Sequence, residues 1–250
     1  MTRYVLTDDI WEQLQVTMKA KGCHRWPNDR NVMEAILWKL RTGAPWRDVP
    51  SEFCPWKTAY NRFNRWATKG LWEQFFFELR GEIDTEWVFA DGSYLRAHQH
   101  ASGARHGEER AIGKSRGGAT TKLHMLADAH GNPVDFEVTG GNVHDATVAE
   151  HLIKKVDQAD HFIADKGYDS EGIRDHARAG GINPIIPKRS NNRTPNPEFD
   201  AFLYRHRHLV ENLFARLKHF RSIATRFEKL ARNFKSMVYL ACTFIWLKMK

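Results

Sequence analysis

The spacing of apolar residues changes near residue 82. Before that point, apolar side chains recur at helical spacing. Over 10–18 they fall on one helical face behind a capping sequence at 6–9. A second run of the same spacing lies between Asn28 and Gly43, and a third covers 55–68. The first part of the chain is therefore predicted to be all helical.

The third helical run is basic. A helix, a tight turn, a short helix and a basic helix together form the outline of a helix-turn-helix, so Lys57, Arg62 and Arg65 are candidate DNA contacts. A plain helical bundle with solvated charges fits the pattern equally well. The spacing alone does not separate these two interpretations.

After residue 82 the chain has short apolar runs separated by turns. Trp87–Ala90 is one such run and ends on Asp91, while Phe162–Ala164 is another and ends on Asp165. Residues 97 to 118 have no hydrophobic period and are expected to form a loop. The other predicted elements are a hairpin of 120–127 with 134–138, helices over 144–156, 170–180 and 199–219, a strand over 182–186, a polar loop over 190–197 and a closing helix over 234–247.

This element order predicts an α/β fold in which a mixed sheet has helices on both faces. It is the element order of the ribonuclease H-like fold. We therefore expect a helical, helix-turn-helix-like domain over 1–82 and a ribonuclease H-like domain over 83–250. A chain of 250 residues is long enough to bury two modest cores.

The charge balance adds a preference for polyanions. The chain has 38 Lys and Arg against 30 Asp and Glu, a net charge of +8. The stretch from Lys188 to Lys235 alone carries +8, with 12 basic residues against 4 acidic ones, and the charges of the other regions roughly cancel. Nucleic acid or an anionic membrane surface is the expected partner of such a chain.

Cysteines and apolar segments indicate the compartment. Cys23, Cys54 and Cys242 are far apart and form no CxxC pair, so a disulfide framework or a zinc finger is not expected. The first ten residues lack the apolar stretch of a signal peptide. The apolar run 237–247 is too short to span a bilayer. We expect a cytoplasmic protein associated with the nucleoid, without a membrane partner.

Asp91 and Asp165 are the first candidates for chemistry. If their two strands are neighbours in the sheet, the two side chains converge, and close carboxylates repel unless a cation lies between them. Oxygen ligands favour Mg²⁺ or Mn²⁺ over zinc, and two such ions can drive phosphoryl transfer. An Asp at a strand end can also simply cap a turn, and Asp-Gly is a turn signal.

The predicted helix over 199–219 supplies a third carboxylate. At ~100° per residue, Tyr204, Arg207, Glu211 and Lys218 fall within a stripe of about 60°, beside a stripe of apolar residues. A Glu on this edge could reach the two Asp residues, with basic neighbours available for phosphates. The alternative is a surface ion pair between Arg207 and Glu211, at i,i+4 spacing.

Several blocks resemble one protein family. Tyr204-x2-Arg207-x3-Glu211-x6-Lys218 resembles the Y-R-E-K signature of the IS4/IS5 group of bacterial insertion-sequence transposases. Residues 88–93 and 163–169 resemble the blocks around that group's two catalytic Asp residues. Further similar blocks, at 40–50, 113–128 and 141–145, extend the likeness over nearly the whole chain.

The resemblance implies a DDE transposase. On that interpretation Asp91, Asp165 and Glu211 hold two Mg²⁺ ions, for which Mn²⁺ can substitute. The enzyme cuts DNA at terminal inverted repeats, and the freed 3′-OH attacks target DNA without a covalent protein intermediate. The implied partners are double-stranded DNA and further copies of the chain, as a homodimer or a higher oligomer. The residues expected to contact DNA near the cut or along its backbone are Tyr204, Arg207, Lys218, Arg116 and Lys166.

Two alternatives keep parts of this account. A catalytically inactive relative would bind DNA in a sequence-specific way without cutting it, and an unrelated metal-dependent nuclease would cut without joining. A smaller ambiguity concerns His144-Asp145, which opens a predicted helix and either caps it or supports the metal ligands.

Overall fold

The computed structural model describes residues 4–103, 109–156, 158–197 and 199–248. Ten α-helices lie in this part of the chain: α1 Asp8–Ala20, α2 Asp29–Thr42, α3 Trp56–Thr68, α4 Leu71–Leu79, α5 Asp145–Lys154, α6 Glu171–Ala179, α7 Ala201–Arg205, α8 His208–Lys218, α9 Arg221–Ala224 and α10 Ala231–Leu247. The strands in the same described ranges are β1 Trp87–Ala97, β2 Gly113–Ser115, β3 Gly118–Ala127, β4 Pro133–Gly140, β5 His161–Ala164, β6 Asn183–Ile185 and β7 Thr225–Arg226.

The chain forms two compact units. The helical unit comprises Met1–Gly81, Ala97–Arg110 and Leu217–Lys250, and the sheet unit comprises Glu82–Arg96 and Ala111–Arg216. The helical unit is thus assembled from three separate stretches of sequence. Of the helices in the described part of the chain, none combines the length and the apolarity that a bilayer crossing needs.

The helices of the helical unit begin and end where local chemistry predicts. The Thr7 hydroxyl accepts a hydrogen bond from the Ile10 amide and caps α1. Gly43 ends α2 with a φ of 68°, a left-handed conformation that glycine adopts without steric cost. The core of this unit contains α10, in which every residue except Arg232 and Lys235 is buried. The closing helix predicted over 234–247 is therefore confirmed.

Arg62 differs from its expected place on a DNA-facing surface. Its side chain is buried, and its Nη1 donates to Asp29 Oδ1 at 2.8 Å. Its guanidinium also lies over the Trp66 ring, 5.2 Å from the centroid. Because the charge is paired inside the helical unit, Arg62 stabilises the packing of α2 against α3 and is not available to DNA as the sequence suggested.

The sheet of the sheet unit is mixed, as predicted. Its strands pair in the order β2-β3-β1-β5-β6, and β4 pairs with β3 in the predicted hairpin. β1 runs antiparallel to β3 and parallel to β5, and β5 runs parallel to β6. On one face, apolar residues of the central strands pack against α5 and α6. Phe89 and Ile163 alternate with them, so they point to the opposite face, where they too are fully buried.

Two predicted boundaries were wrong. β1 does not end at Asp91 but continues to Ala97, because β3 remains paired with it from Phe89 to Arg96. Asp91-Gly92 is therefore strand and not turn. The helix expected over 199–219 is interrupted after Arg205, where the amides of His206 and Arg207 bond to carbonyls three residues earlier.

Candidate active site

Asp91 and Asp165 directly follow paired residues of two neighbouring parallel strands. Ala90 of β1 is in register with Ala164 of β5, so Asp91 lies within β1 and Asp165 comes directly after the end of β5. Neighbouring strands are about 4.8 Å apart, and the charge of Asp165 contributes to raising the pKa of the Asp91 carboxyl. The strand pairing that the sequence prediction assumed is therefore present.

The environment of Asp91 disfavours its negative charge. Burial raises the pKa of the Asp91 carboxyl, and the nearby charges of Asp165 and Asp145 raise it further. Arg207 and a hydrogen bond from the Gly92 amide, 2.8 Å from Asp91 Oδ1, act in the opposite direction without cancelling the shift. A second cation near Asp91 would therefore be favourable.

The Asp165 carboxylate is held by the turn that follows it. Its Oδ1 accepts a hydrogen bond from the Gly167 amide at 2.7 Å, so Asp165 caps the 3₁₀ turn Lys166–Tyr168. This cap fixes one oxygen of the carboxylate. The expected turn-capping role and a role in chemistry are thus compatible, because each carboxylate has two oxygens.

Arg207 joins the third carboxylate to the first. Its Nη1 lies 2.9 Å from Asp91 Oδ2, and its Nη2 forms an ion pair with Glu211 Oε1. Burial alone would lower the pKa of Arg207, but Asp91 and Glu211 hold it above its ordinary value. The surface ion pair between Arg207 and Glu211 is therefore present, and it extends to Asp91.

The donor set suits a hard divalent cation. Among the residues that the structure describes, no three His, Cys, Asp or Glu side chains already surround a common point as metal ligands. However, the oxygens of Asp91 and Glu211 already share one cation, the guanidinium of Arg207, and Asp165 directly follows β5, the strand that pairs with β1. Carboxylate oxygens are the preferred ligands of Mg²⁺ and Mn²⁺. The residues fit such ions once Arg207 moves aside.

The other predicted DNA contacts lie at separate places. Tyr204 lies beside Arg207, whose guanidinium carbon is 6.0 Å from the ring centroid. Lys218 is an exposed residue at the end of α8. Four more are exposed: Lys166 next to Asp165, Arg116 in the turn between β2 and β3, and Lys57 and Arg65 on α3.

Sequence reasoning singled out Asp145 as a helix cap or a support of the metal ligands, but it missed the two buried side chains that contact this carboxylate. They are Lys122 and His124 on β3, and Asp145 at the start of α5 forms an ion pair with Lys122 and a hydrogen bond with His124. Tyr168 is also buried nearby, and the charges of Asp145, Asp91 and Asp165 add to the effect of burial in raising its pKa. Lys122 and His124 lie in the sequence block 113–128 and Asp145 lies in the block 141–145, but no sequence spacing indicates that the two blocks are in contact.

Comparison with known families identifies the class of protein. A family model described as "Transposase DDE domain" matches residues 83–246, and one described as "Putative transposase of IS4/5 family" matches residues 6–76. The first of these matches covers most of the chain and identifies its catalytic domain as a transposase DDE domain. The chain belongs to the DDE-domain transposases of insertion sequences, as its motifs suggested.

Individual relatives agree with this assignment. The Brucella ovis "Putative transposase for insertion sequence element IS6501" is 36% identical over 129 residues, which are 52% of this chain and 99% of the relative. The Burkholderia cepacia "Putative transposase for insertion sequence element IS402" is 36% identical over 136 residues, 50% of this chain and 62% of the relative.

A solved structure shares the fold. The piggyBac transposase, in a synaptic complex with hairpin DNA, matches with a TM-score of 0.55 at 10% identity, over 97% of this chain and 73% of that one. The fold class expected from the sequence, a ribonuclease H-like mixed sheet preceded by a helical region, is confirmed.

Proposed function

We propose that this transposase cleaves the ends of its insertion sequence at terminal inverted repeats and joins the 3′-OH ends to target DNA. Asp91, Asp165 and Glu211 are the proposed metal-binding and catalytic residues. The observation that carries the proposal is the in-register pairing of β1 with β5, together with the guanidinium that Asp91 and Glu211 share.

Each carboxylate has a distinct part in this mechanism. Asp91 lies in β1 and Asp165 directly follows β5, and the Gly92 and Gly167 amides donate a hydrogen bond to one oxygen of each carboxylate. Glu211 is half exposed on α8 and is paired with Arg207. Two Mg²⁺ or Mn²⁺ ions bound there would supply activation of the attacking oxygen and stabilisation of the leaving oxygen.

Arg207 and its neighbours orient the DNA. With cations bound by the carboxylates, Arg207 would be available to donate paired hydrogen bonds to a phosphate next to the scissile bond. Tyr204 lies beside Arg207, with its ring centroid 6.0 Å from the guanidinium carbon. Both residues thereby help to place the phosphodiester between the carboxylates.

Exposed basic residues supply the remaining affinity for DNA. The net charge of +8 favours association with the phosphate backbone. The piggyBac transposase was solved as a synaptic complex with hairpin DNA, and by analogy we expect a homodimer or a higher oligomer of this chain to hold two DNA ends. The proposed backbone contacts are Lys57, Arg65, Arg116, Lys166 and Lys218.

The test uses DNA that contains the element's own terminal sequence. Glu211→Gln and Asp165→Asn should each abolish cleavage in Mg²⁺, because the lost carboxylate charge cannot be replaced, while binding of the end in a mobility-shift assay is largely retained. Glu150→Gln is the matched control, since Glu150 is exposed on α5. Normal cleavage by Glu211→Gln would show that the ligand assignment is wrong.

The products distinguish this proposal from its alternatives. A transposase yields joined strands when target DNA is present, whereas a metal-dependent nuclease yields only nicks. A catalytically inactive DNA-binding relative would shift the end fragment and give neither product.

A further inference from the structure

A largely buried polar trio, Lys122, His124 and Asp145, lies next to the proposed metal ligands. Asp145 Oδ2 is 2.5 Å from Lys122 Nζ, and Asp145 Oδ1 is 3.1 Å from His124 Nδ1. The side chains of Lys122 and His124 are 4% and 0% exposed. His124 Nε2 is also 2.8 Å from Thr139 Oγ1, which fixes the ring on the other side.

The trio packs against the backbone that follows both Asp residues. A Cβ placed on Gly92 would lie 2.2 Å from Asp145 Oδ1 and 2.8 Å from Lys122 Cε. A Cβ on Gly167 would lie 3.5 Å from Asp145 Oδ2. Asp145 therefore touches the residue after Asp91 and lies close to the second residue after Asp165.

Capping of α5 does not account for Asp145. The N-cap position is occupied by His144, whose side chain makes no capping hydrogen bond. Both Asp145 oxygens are instead directed to the side chains of Lys122 and His124. Of the two roles that the sequence left open for His144-Asp145, support of the neighbouring acidic residues fits these contacts better.

Charge explains why such support is needed. Asp145 is a fourth carboxylate close enough to Asp91 to raise its pKa, so an unpaired Asp145 would add to the repulsion in the site. Lys122 cancels this charge locally. Its ammonium group is held in place by the Tyr94 ring, 4.7 Å away, as well as by Asp145.

We propose that Lys122 compensates the charge of Asp145, which His124 orients, next to the backbone that follows Asp91 and Asp165, and that this charge balance sets the affinity of that site for divalent cations. The Lys122–Asp145 ion pair carries no net charge, so it leaves the electrostatic potential at the neighbouring carboxylates nearly unchanged. This inference rests on the proposed function, because it assumes that the two Asp residues bind metal.

The test measures Mn²⁺ binding to the purified full chain, without DNA, by calorimetry or by the loss of the free-ion paramagnetic resonance signal. Lys122→Met leaves Asp145 uncompensated and should tighten Mn²⁺ binding. Asp145→Asn leaves Lys122 uncompensated and should weaken it. We expect the Mn²⁺ dissociation constant to change by about tenfold in each direction. A change of this size corresponds to the Coulomb interaction of one unit charge with a nearby divalent ion at a dielectric constant between those of water and protein. The double variant should return close to the wild-type affinity.

Opposite shifts that cancel in the double variant cannot arise from general loosening of the fold, which would weaken binding in every case. Equal affinities, or weaker binding in all three variants, would overturn the inference. Circular dichroism checks each variant, and if Lys122→Met does not fold, the comparison of Asp145→Asn with the double variant still decides. Asp165→Asn is run in parallel, because wild-type Mn²⁺ binding by that variant would refute the proposed function itself.

Discussion

Replacing Arg207 with Gln removes the cation that Asp91 and Glu211 share. Arg207 Nη1 lies 2.9 Å from Asp91 Oδ2, so a metal ion that binds this oxygen would compete with the guanidinium. We therefore expect the Arg207→Gln variant to bind Mn²⁺ more tightly than the wild type.

The size of the effect follows from the burial of the two contacts. The Asp91 and Arg207 side chains are 18% and 21% exposed, so their charge-assisted hydrogen bond is taken as about 2 kcal/mol, within the usual range for such bonds. Glu211 is 52% exposed, and an i,i+4 pair of that kind adds only a few tenths of a kcal/mol. A loss of about 2 kcal/mol corresponds to a change in metal affinity of roughly 30-fold.

The assay is a Mn²⁺ titration of metal-free protein by calorimetry. Arg205→Gln is the control, because Arg205 is exposed and lies two residues away on α7. The same variants are then titrated with the transposon end at several salt concentrations. If Arg207 contacts a phosphate, the slope of the logarithm of the DNA-binding constant against the logarithm of the salt concentration should be smaller by about one in Arg207→Gln. Unchanged or weaker Mn²⁺ binding in Arg207→Gln would refute the displacement argument.

Two further predictions concern stability. Arg62→Met should cost about 3–5 kcal/mol of unfolding free energy because it strands the buried Asp29, whereas Arg65→Met at an exposed position should cost less than about 0.5 kcal/mol but weaken DNA binding. Urea unfolding measures both free energies, and a small loss of stability in Arg62→Met would contradict the role of the buried pair. Since burial raises the pKa of Asp91, the ionised form destabilises the fold as pH rises through that pKa. Asp91→Asn, without metal, should therefore be more stable than wild type at pH 7, with the difference disappearing toward pH 3; a constant difference would argue against this.

Local chemistry made most of the fold predictable. Thr7 and Gly43 mark helix ends through side-chain capping and left-handed backbone, and both effects depend only on neighbouring residues. The hairpin of β3 and β4 was predictable for a similar reason, since the turn before Pro133 separates two alternating runs. The true length of β1 was not, because its last residues depend on pairing with β3, which periodicity does not report.

The candidate site was predictable only in part, for the same reason. Asp91 and Asp165 each follow an apolar run, so their convergence required a single assumption about strand pairing. Arg62 was misassigned because helical spacing does not show which basic residue meets a buried acid. The contacts of Asp145 join residues 21 and 23 positions apart on different elements, and local periodicity carries no information about such contacts.

The assembly of the helical unit from separate stretches has a consequence for biosynthesis. α1 to α4 are synthesised before the sheet unit, whereas α10, which packs against α4 and whose Tyr239 hydroxyl bonds to Glu73, is synthesised after it. At about 5–20 residues per second, the apolar faces of the early helices wait roughly 10 to 30 s for α10. The helical unit therefore completes its core only after the whole sheet unit has been synthesised.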